Sequence, residues 1–277
     1  MKHMRIKKYI FMLLLLFLFV TGCSTDNTES QYNKQQQAKS NEQKHEKIEL
    51  TISAAASLED AFNEIKPVFE EEYPNIKLLF NFGGSGALQK QIIQGAPVDL
   101  FFSAAEDKFD ELVSKGLIDQ NQGNDMLGNT LVLIIPKDSK DSIKGFEDLL
   151  HLNDKKFALG TPEAVPAGSY GKQTLEFLGL WKQIQPNLVF AKDVRQVLTY
   201  VETGNVAAGI VYKTDALTSD KVLVVSEASA DSHDPIVYPV GIVNSNKHMK
   251  EAEIFYQYLQ EKTAKDTFIK YGFNVLD

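Results

Sequence analysis

The chain has 277 residues, enough for one large domain or two ordinary ones with a real core. Hydrophobic residues are 43% and charged residues 24%, the balance of a soluble globular protein rather than a disordered or fibrous one. One Cys excludes a disulfide framework and any multi-Cys metal cluster, five scattered His offer no pair at metal-ligand spacing, and a net charge of -8 argues against nucleic acid as a partner.

Residues 1–22 read as an address rather than as fold. Lys2, Arg5, Lys7 and Lys8 make a basic start, and Ile10 to Val20 is an apolar run too short to span a membrane as an ordinary helix. Val20-Thr21-Gly22-Cys23 follows, with small residues before the sole Cys, and it resembles the lipobox of bacterial lipoproteins. That resemblance implies that Cys23 becomes a lipidated N-terminus on the outer face of the cell membrane; a plain signal peptide with a chance Cys is the bland alternative. Loss of four cations from 29 leaves 25 against 37 acidic residues, a net charge of -12. After Cys23, residues 24–46 are Ser, Thr, Asn, Gln, Lys and Glu with almost nothing to bury, which predicts a flexible tether.

From Ile48 strands and helices alternate. Glu49 to Ser53 predicts a strand, and Leu58, Ala61, Phe62, Ile65 and Phe69 fall at helical spacing, a helix over 58–72 that Pro67 should kink or split. Strand 76–82, helix 87–94, strand 98–102 and helix 105–115 follow, then strand 130–135, a helix near 145–150, strand 156–160, helix 170–179, strand 187–191, helix 194–203 and strand 206–211. Strands at 221–225 and 236–243 precede two closing helices, 248–261 and 264–270. Such alternation predicts an α/β fold with mainly parallel sheets, and about 230 residues of it suggest two lobes with a cleft between them.

Ligands of open α/β sheets sit beyond the carboxyl ends of strands, so the strand-to-helix junctions are where chemistry is expected. Ser57 with Asp60 fits a capping box, as do Asp193 with Gln196 and Ser103 with Glu106. Gly83-Gly84-Ser85-Gly86 and Pro166-Ala167-Gly168 let backbone N–H groups approach something, but no Lys follows as in a phosphate-binding P-loop. Each signal alone is equally well a plain cap or a tight turn.

Taken in order, Ala54-Ala55-Ala56-Ser57-Leu58, Gly95-Ala96-Pro97-Val98-Asp99-Leu100-Phe101, Leu127-Gly128-Asn129, Val165-Pro166-Ala167-Gly168, Asp193-Val194-Arg195, Gly209-Ile210-Val211-Tyr212 and Lys270-Tyr271-Gly272-Phe273 closely resemble the molybdate-binding proteins of ABC importers. The resemblance implies a two-lobed periplasmic-binding-protein fold of type II, each lobe a mostly parallel sheet flanked by helices, with the ligand in the interlobe cleft. The lobes are expected at 47–128 with 236–277 and at 129–235. It implies an oxyanion, molybdate or tungstate, held by uncharged donors: the hydroxyls of Ser57, Ser85 and Tyr212 and the backbone N–H groups of Ala167 and Val194. The second loop, Gly-Gly-Ser-Gly, departs from the run of serines frequent in relatives, so Ser85 follows from register. Arg195 is expected to be structural. The resemblance further implies a monomer that delivers its ligand to an ABC permease, with no cofactor, no cation site and no catalysis.

Three other readings compete, one of them a protein-binding or adhesive lipoprotein. A receptor of the same fold could take tungstate specifically, sulfate or phosphate. A serine hydrolase would use Ser169 in Ala167-Gly168-Ser169-Tyr170-Gly171, followed by Asp193 or Asp215 and then His233.

Overall fold

In the computed structural model residues 47–139, 143–244 and 247–276 are described; the leader, Cys23 and the tether lie outside the described residues. The chain opens with β1 (Ile48–Ala55), a 3₁₀ turn at Ala56–Leu58, α1 (Glu59–Glu72), β2 (Ile76–Gly83), α2 (Ser85–Ile93), β3 (Leu100–Phe102), α3 (Glu106–Ser114) and β4 (Ile118–Gly128). It continues through β5 (Leu131–Pro136), a 3₁₀ turn at Phe146–His151, β6 (Phe157–Gly160), α4 (Pro166–Phe177), α5 (Trp181–Ile184), β7 (Leu188–Ala191), α6 (Val194–Glu202), β8 (Ala208–Tyr212), α7 (Lys213–Leu217) and β9 (Val222–Glu227). β10 (Val237–Val243), α8 (Met249–Tyr258), α9 (Lys262–Lys270) and β11 (Asn274–Val275) close it.

Two sheets result, in the orders β11-β4-β10-β3-β1-β2 and β7-β6-β8-β5-β9. The chain passes from the first to the second at Asn129-Thr130 and returns after β9. β1 is internal because both of its faces are covered: Leu50, Ile52 and Ala54 are buried on one and Ser53 and Ala55 on the other. Behind β1 and β2, Phe62 of α1 stacks on Phe80 and meets Phe102 and Phe268 edge-on, which fixes α1 against the sheet.

The alternation was read correctly as α/β, but the sheets are mixed rather than mostly parallel. β2-β1-β3 and β7-β6-β8 are the parallel runs; β5, β9, β10, β4 and β11 meet their partners antiparallel. The mixing follows from the crossovers: β5 and β10, the first strands after them, enter from the other sheet and run against the strands they join. β4 escaped the sequence pattern altogether. Its Asp119 to Asp125 stretch is polar and mostly exposed, and pairing with β10 through two register shifts makes it a strand. Pro67 neither ends nor splits α1: it lies on the exposed face, as does Asn63, whose carbonyl loses its helical partner there. Among the described residues no helix is long and apolar enough to cross a membrane.

The carboxyl ends of β1, β2, β6 and β7 each run into a helix start. Gly84 and Gly86 carry a close approach between the two sheets. A Cβ on Gly84 would stand 2.8 Å from the Ala164 carbonyl oxygen and 2.9 Å from that of Lys192, and one on Gly86 would stand 2.9 Å from Ala164 Cα. The Gly86 N–H donates to the Ala164 carbonyl at 3.0 Å across that contact. The glycine loop is therefore a surface that receives the opposite loop as well as a source of exposed backbone.

Candidate anion site between the two sheets

Ser57, Ser85, Ala167, Val194 and Tyr212 all line one small pocket between the two sheets. Among the described residues lining it none carries a charged side chain.

Each donor is placed by local structure. Ala167 is the second residue of α4 and Val194 the first of α6, positions whose N–H groups have no intrahelical acceptor. Pro166 begins α4 and has no N–H to offer, which leaves Ala167 the first donor of that helix. Asp193 caps α6 by accepting the Gln196 N–H at 2.8 Å, as expected, while the Gln196 side chain accepts from Lys192 N rather than closing the box. With Ser85 starting α2, three helix N-termini converge and supply partial positive charge without a cation.

The hydroxyls are directed as well. Ser85 Oγ, fully buried, accepts the Ala104 N–H at 2.9 Å, so its own proton is left for another acceptor. Ser57 is not the expected N-cap of α1: the cap position is Leu58, and Ser57 Oγ lies 2.9 Å from the Tyr238 hydroxyl instead. Ser103 is likewise no cap; its hydroxyl donates to the Ala105 carbonyl at 2.8 Å. Tyr212 ends β8 and is buried, its hydroxyl 3.5 Å from the Ala104 carbonyl, the outer limit of a hydrogen bond. Burial first, then neighbouring Tyr238, Tyr170 and Asp215, holds the Tyr212 phenol well above its ordinary pKa, so it keeps its proton.

Arg195 does not line the pocket. Its guanidinium pairs with Asp60 of α1, lies 3.9 Å from Glu59 and donates to Thr218 at 3.0 Å. It thus braces α6 against α1, joining the helices of the two sheets. The hydrolase set is not assembled. Ser169 lies inside α4, His233 donates from Nδ1 to the Asp234 carbonyl at 2.7 Å, Asp193 is occupied as a cap, and Asp215 faces the Tyr212 N–H and Arg195.

Three residues behind the pocket carried no sequence signal of their own. Tyr238 reads as a strand aromatic and Thr214 falls between the strands expected at 206–211 and 221–225, whereas Asn129 appears only within Leu127-Gly128-Asn129, at the crossover between the sheets.

A family model described as bacterial extracellular solute-binding protein matches residues 50–274. The chain belongs to this family. Solute-binding proteins of this kind work outside the cytoplasm, and the two-sheet fold with its pocket between the sheets is theirs. The chain is 51% identical over 269 residues, 96% of its length and 98% of the relative's, to "Putative ABC transporter substrate-binding lipoprotein YvgL" of Bacillus subtilis (strain 168). It is 39% identical over 232 residues, 82% of its length and 89% of the relative's, to the molybdate-binding protein ModA of Escherichia coli (strain K12). A solved "substrate binding domain of putative molybdenum ABC transporter from Clostridium difficile" superposes with a TM-score of 0.63 at 39% identity, over 83% of this chain and all of that one.

Asp215 is a carboxyl beside the site whose charge the fold opposes. It is buried, its Oδ1 accepts no hydrogen bond, and burial pushes its carboxyl up to about 7 against the opposing pull of Arg195 and the Tyr212 N–H. A carboxyl raised on folding stays protonated where the unfolded chain has already ionised. Its contribution to stability is therefore whole below the ordinary value of 3.8 and is lost as pH rises through about 7. Asp215→Asn should flatten this decline. On the alkaline side of the window it should melt at least about 3 °C above the unaltered protein, roughly 1 kcal/mol for a domain of this size. Thermal melts across the range check it, and parallel curves for the two proteins would contradict it.

Proposed function

We propose that this solute-binding protein captures molybdate, and tungstate with it, and delivers the anion to the permease of an ABC importer. One observation carries the reading: five neutral donors, two of them N–H groups at helix starts, line one small pocket with no charged side chain in its lining. Relatives that bind molybdate, at 38–39% identity over most of both chains, support the choice of ion. A chain of net charge -12 gives a dianion no long-range attraction, so binding rests on aimed dipoles. Such donors also select. A protonated oxyanion brings an O–H that meets only other donors, so fully deprotonated tetrahedral anions are favoured over monohydrogen phosphate.

The lobes, 47–128 with 236–277 and 129–235, hinge at the crossovers and close on the anion, and the closed form is what the permease reads. The protein acts as a monomeric carrier with no cofactor and no catalysis. Cys23 carries the lipid that keeps the receptor at the membrane; the word lipoprotein in the name of the Bacillus subtilis relative supports this. A receptor of the same fold for sulfate or phosphate is the competing reading.

Titration calorimetry on the domain from Lys47 tests the ligand. Molybdate and tungstate should bind at micromolar affinity or tighter, and sulfate at least ~100-fold more weakly, about 2.7 kcal/mol. Ser57→Ala, Ser85→Ala and Tyr212→Phe each remove one donor to a charged group, about 1.5–3 kcal/mol, and should weaken molybdate by roughly 10- to 150-fold. Sulfate or phosphate binding as tightly as molybdate would replace the reading with its competitor. The anchor is tested separately. Cys23→Ala should move the protein from the membrane fraction to the medium or leave its leader uncleaved, and full retention of a processed mutant would refute lipidation.

A further inference from the structure

We infer that Asn129 and Tyr238 are positioning residues that turn the Ser57 hydroxyl into an obligatory donor, and so set the preference for an anion without a proton. The inference rests on the oxyanion reading of the pocket and explains what the Leu127-Gly128-Asn129 motif does there.

The chain of bonds starts on the backbone. Thr130 N–H donates to Asn129 Oδ1 at 2.9 Å, which fixes which end of the amide is oxygen. Asn129 Nδ2 then donates both ways, to Thr214 Oγ1 at 2.9 Å and to the Tyr238 hydroxyl oxygen at 3.1 Å. Thr214 belongs to α7 beside the second sheet and Tyr238 to β10 of the first, so one amide at the crossover ties both. Tyr238 is fully buried, and the ring of Phe273 packs edge-on against it at 5.5 Å between centroids, which holds the hydroxyl in place. A phenol has a single proton. Ser57 Oγ and the Tyr238 hydroxyl lie 2.9 Å apart, a pair in which either can donate; with the Tyr238 oxygen receiving from Asn129, the inferred direction is from Tyr238 to Ser57. Ser57 thereby receives from behind, and its own O–H is directed at the pocket. Ser85 is treated in the same way by the Ala104 N–H. The difference is that a backbone N–H can never reverse, whereas the Ser57 arrangement depends on two side chains.

The test compares molybdate with inorganic phosphate at mildly alkaline pH, where phosphate is the monohydrogen dianion, by competition titration. Two variants are used. Tyr238→Phe removes the proton that fills Ser57 Oγ, so the serine is able to accept the phosphate O–H. Asn129→Asp, equal in shape, draws the Tyr238 proton to itself and leaves Ser57 to donate backwards. Its added charge acts on both dianions alike, so the ratio of affinities isolates the hydrogen-bond effect. In Tyr238→Phe molybdate should weaken by roughly three- to tenfold while phosphate gains at least about fivefold relative to molybdate. Asn129→Asp should shift the ratio in the same direction and decides the matter if Tyr238→Phe melts below the assay temperature. Phosphate that gains nothing on molybdate, with either unchanged or uniformly weakened binding, makes these residues merely structural and overturns the inference alone. An unaltered protein that binds neither anion rejects the receptor reading itself, and the inference with it.

Discussion

A doubly charged anion in a pocket with no cationic side chain is held only by donors whose directions are set before it arrives. Much of the site's architecture answers that constraint. Parallel strands end on one side, and each carboxyl end feeds a helix start whose N–H groups point onward. Backbone donors are thus aimed by the fold itself. Hydroxyls rotate, so they need something further. At Ser85 a backbone N–H from Ala104 fills the lone pair, and at Ser57 the Tyr238 hydroxyl lies 2.9 Å from Oγ. At Tyr212 burial keeps the phenol protonated and the weak contact with Ala104 leaves its proton easily redirected.

The same constraint explains where charge is found. A cation in the pocket would bind any anion and would sacrifice the choice among protonation states. Arg195 begins at a helix start that lines the site, yet its side chain turns to Asp60, Glu59 and Thr218. There it links α6 to α1 across the two sheets. The contact between the glycine loop and Ala164 joins the sheets on another line, through backbone alone. Any opening of the cleft has to separate both. A brace, a backbone contact and the amide of Asn129 therefore tie the two sheets together, and none of them places a charge in the pocket.

The sequence carried the α/β alternation, nearly every strand and helix bounded by apolar periodicity, and the five donors as an ordered set of motifs that the structure brings to one pocket. What it did not carry is tertiary in origin. β4 is polar and becomes a strand only because β10 pairs with it. Ser57 and Ser103 both match the capping-box pattern, but local spacing cannot sense Tyr238, 181 residues away, which draws Ser57 out of that role. Tyr238 itself looks like any buried strand aromatic, and Lys270-Tyr271-Gly272-Phe273 gave no hint that its Phe would support that ring. The motif residues were visible; the proton directions that make them a selective site depend on partners far away in the chain.

That the anion is neutralised by oriented neutral donors alone is open to one decisive check, a crystal structure of the protein with molybdate. Its four oxygens should lie about 2.7–3.1 Å from Ser57 Oγ, Ser85 Oγ, Tyr212 Oη and the Ala167 and Val194 nitrogens, with Arg195 still on Asp60. An anion bonded to the Arg195 guanidinium, or seated away from these five donors, would contradict it.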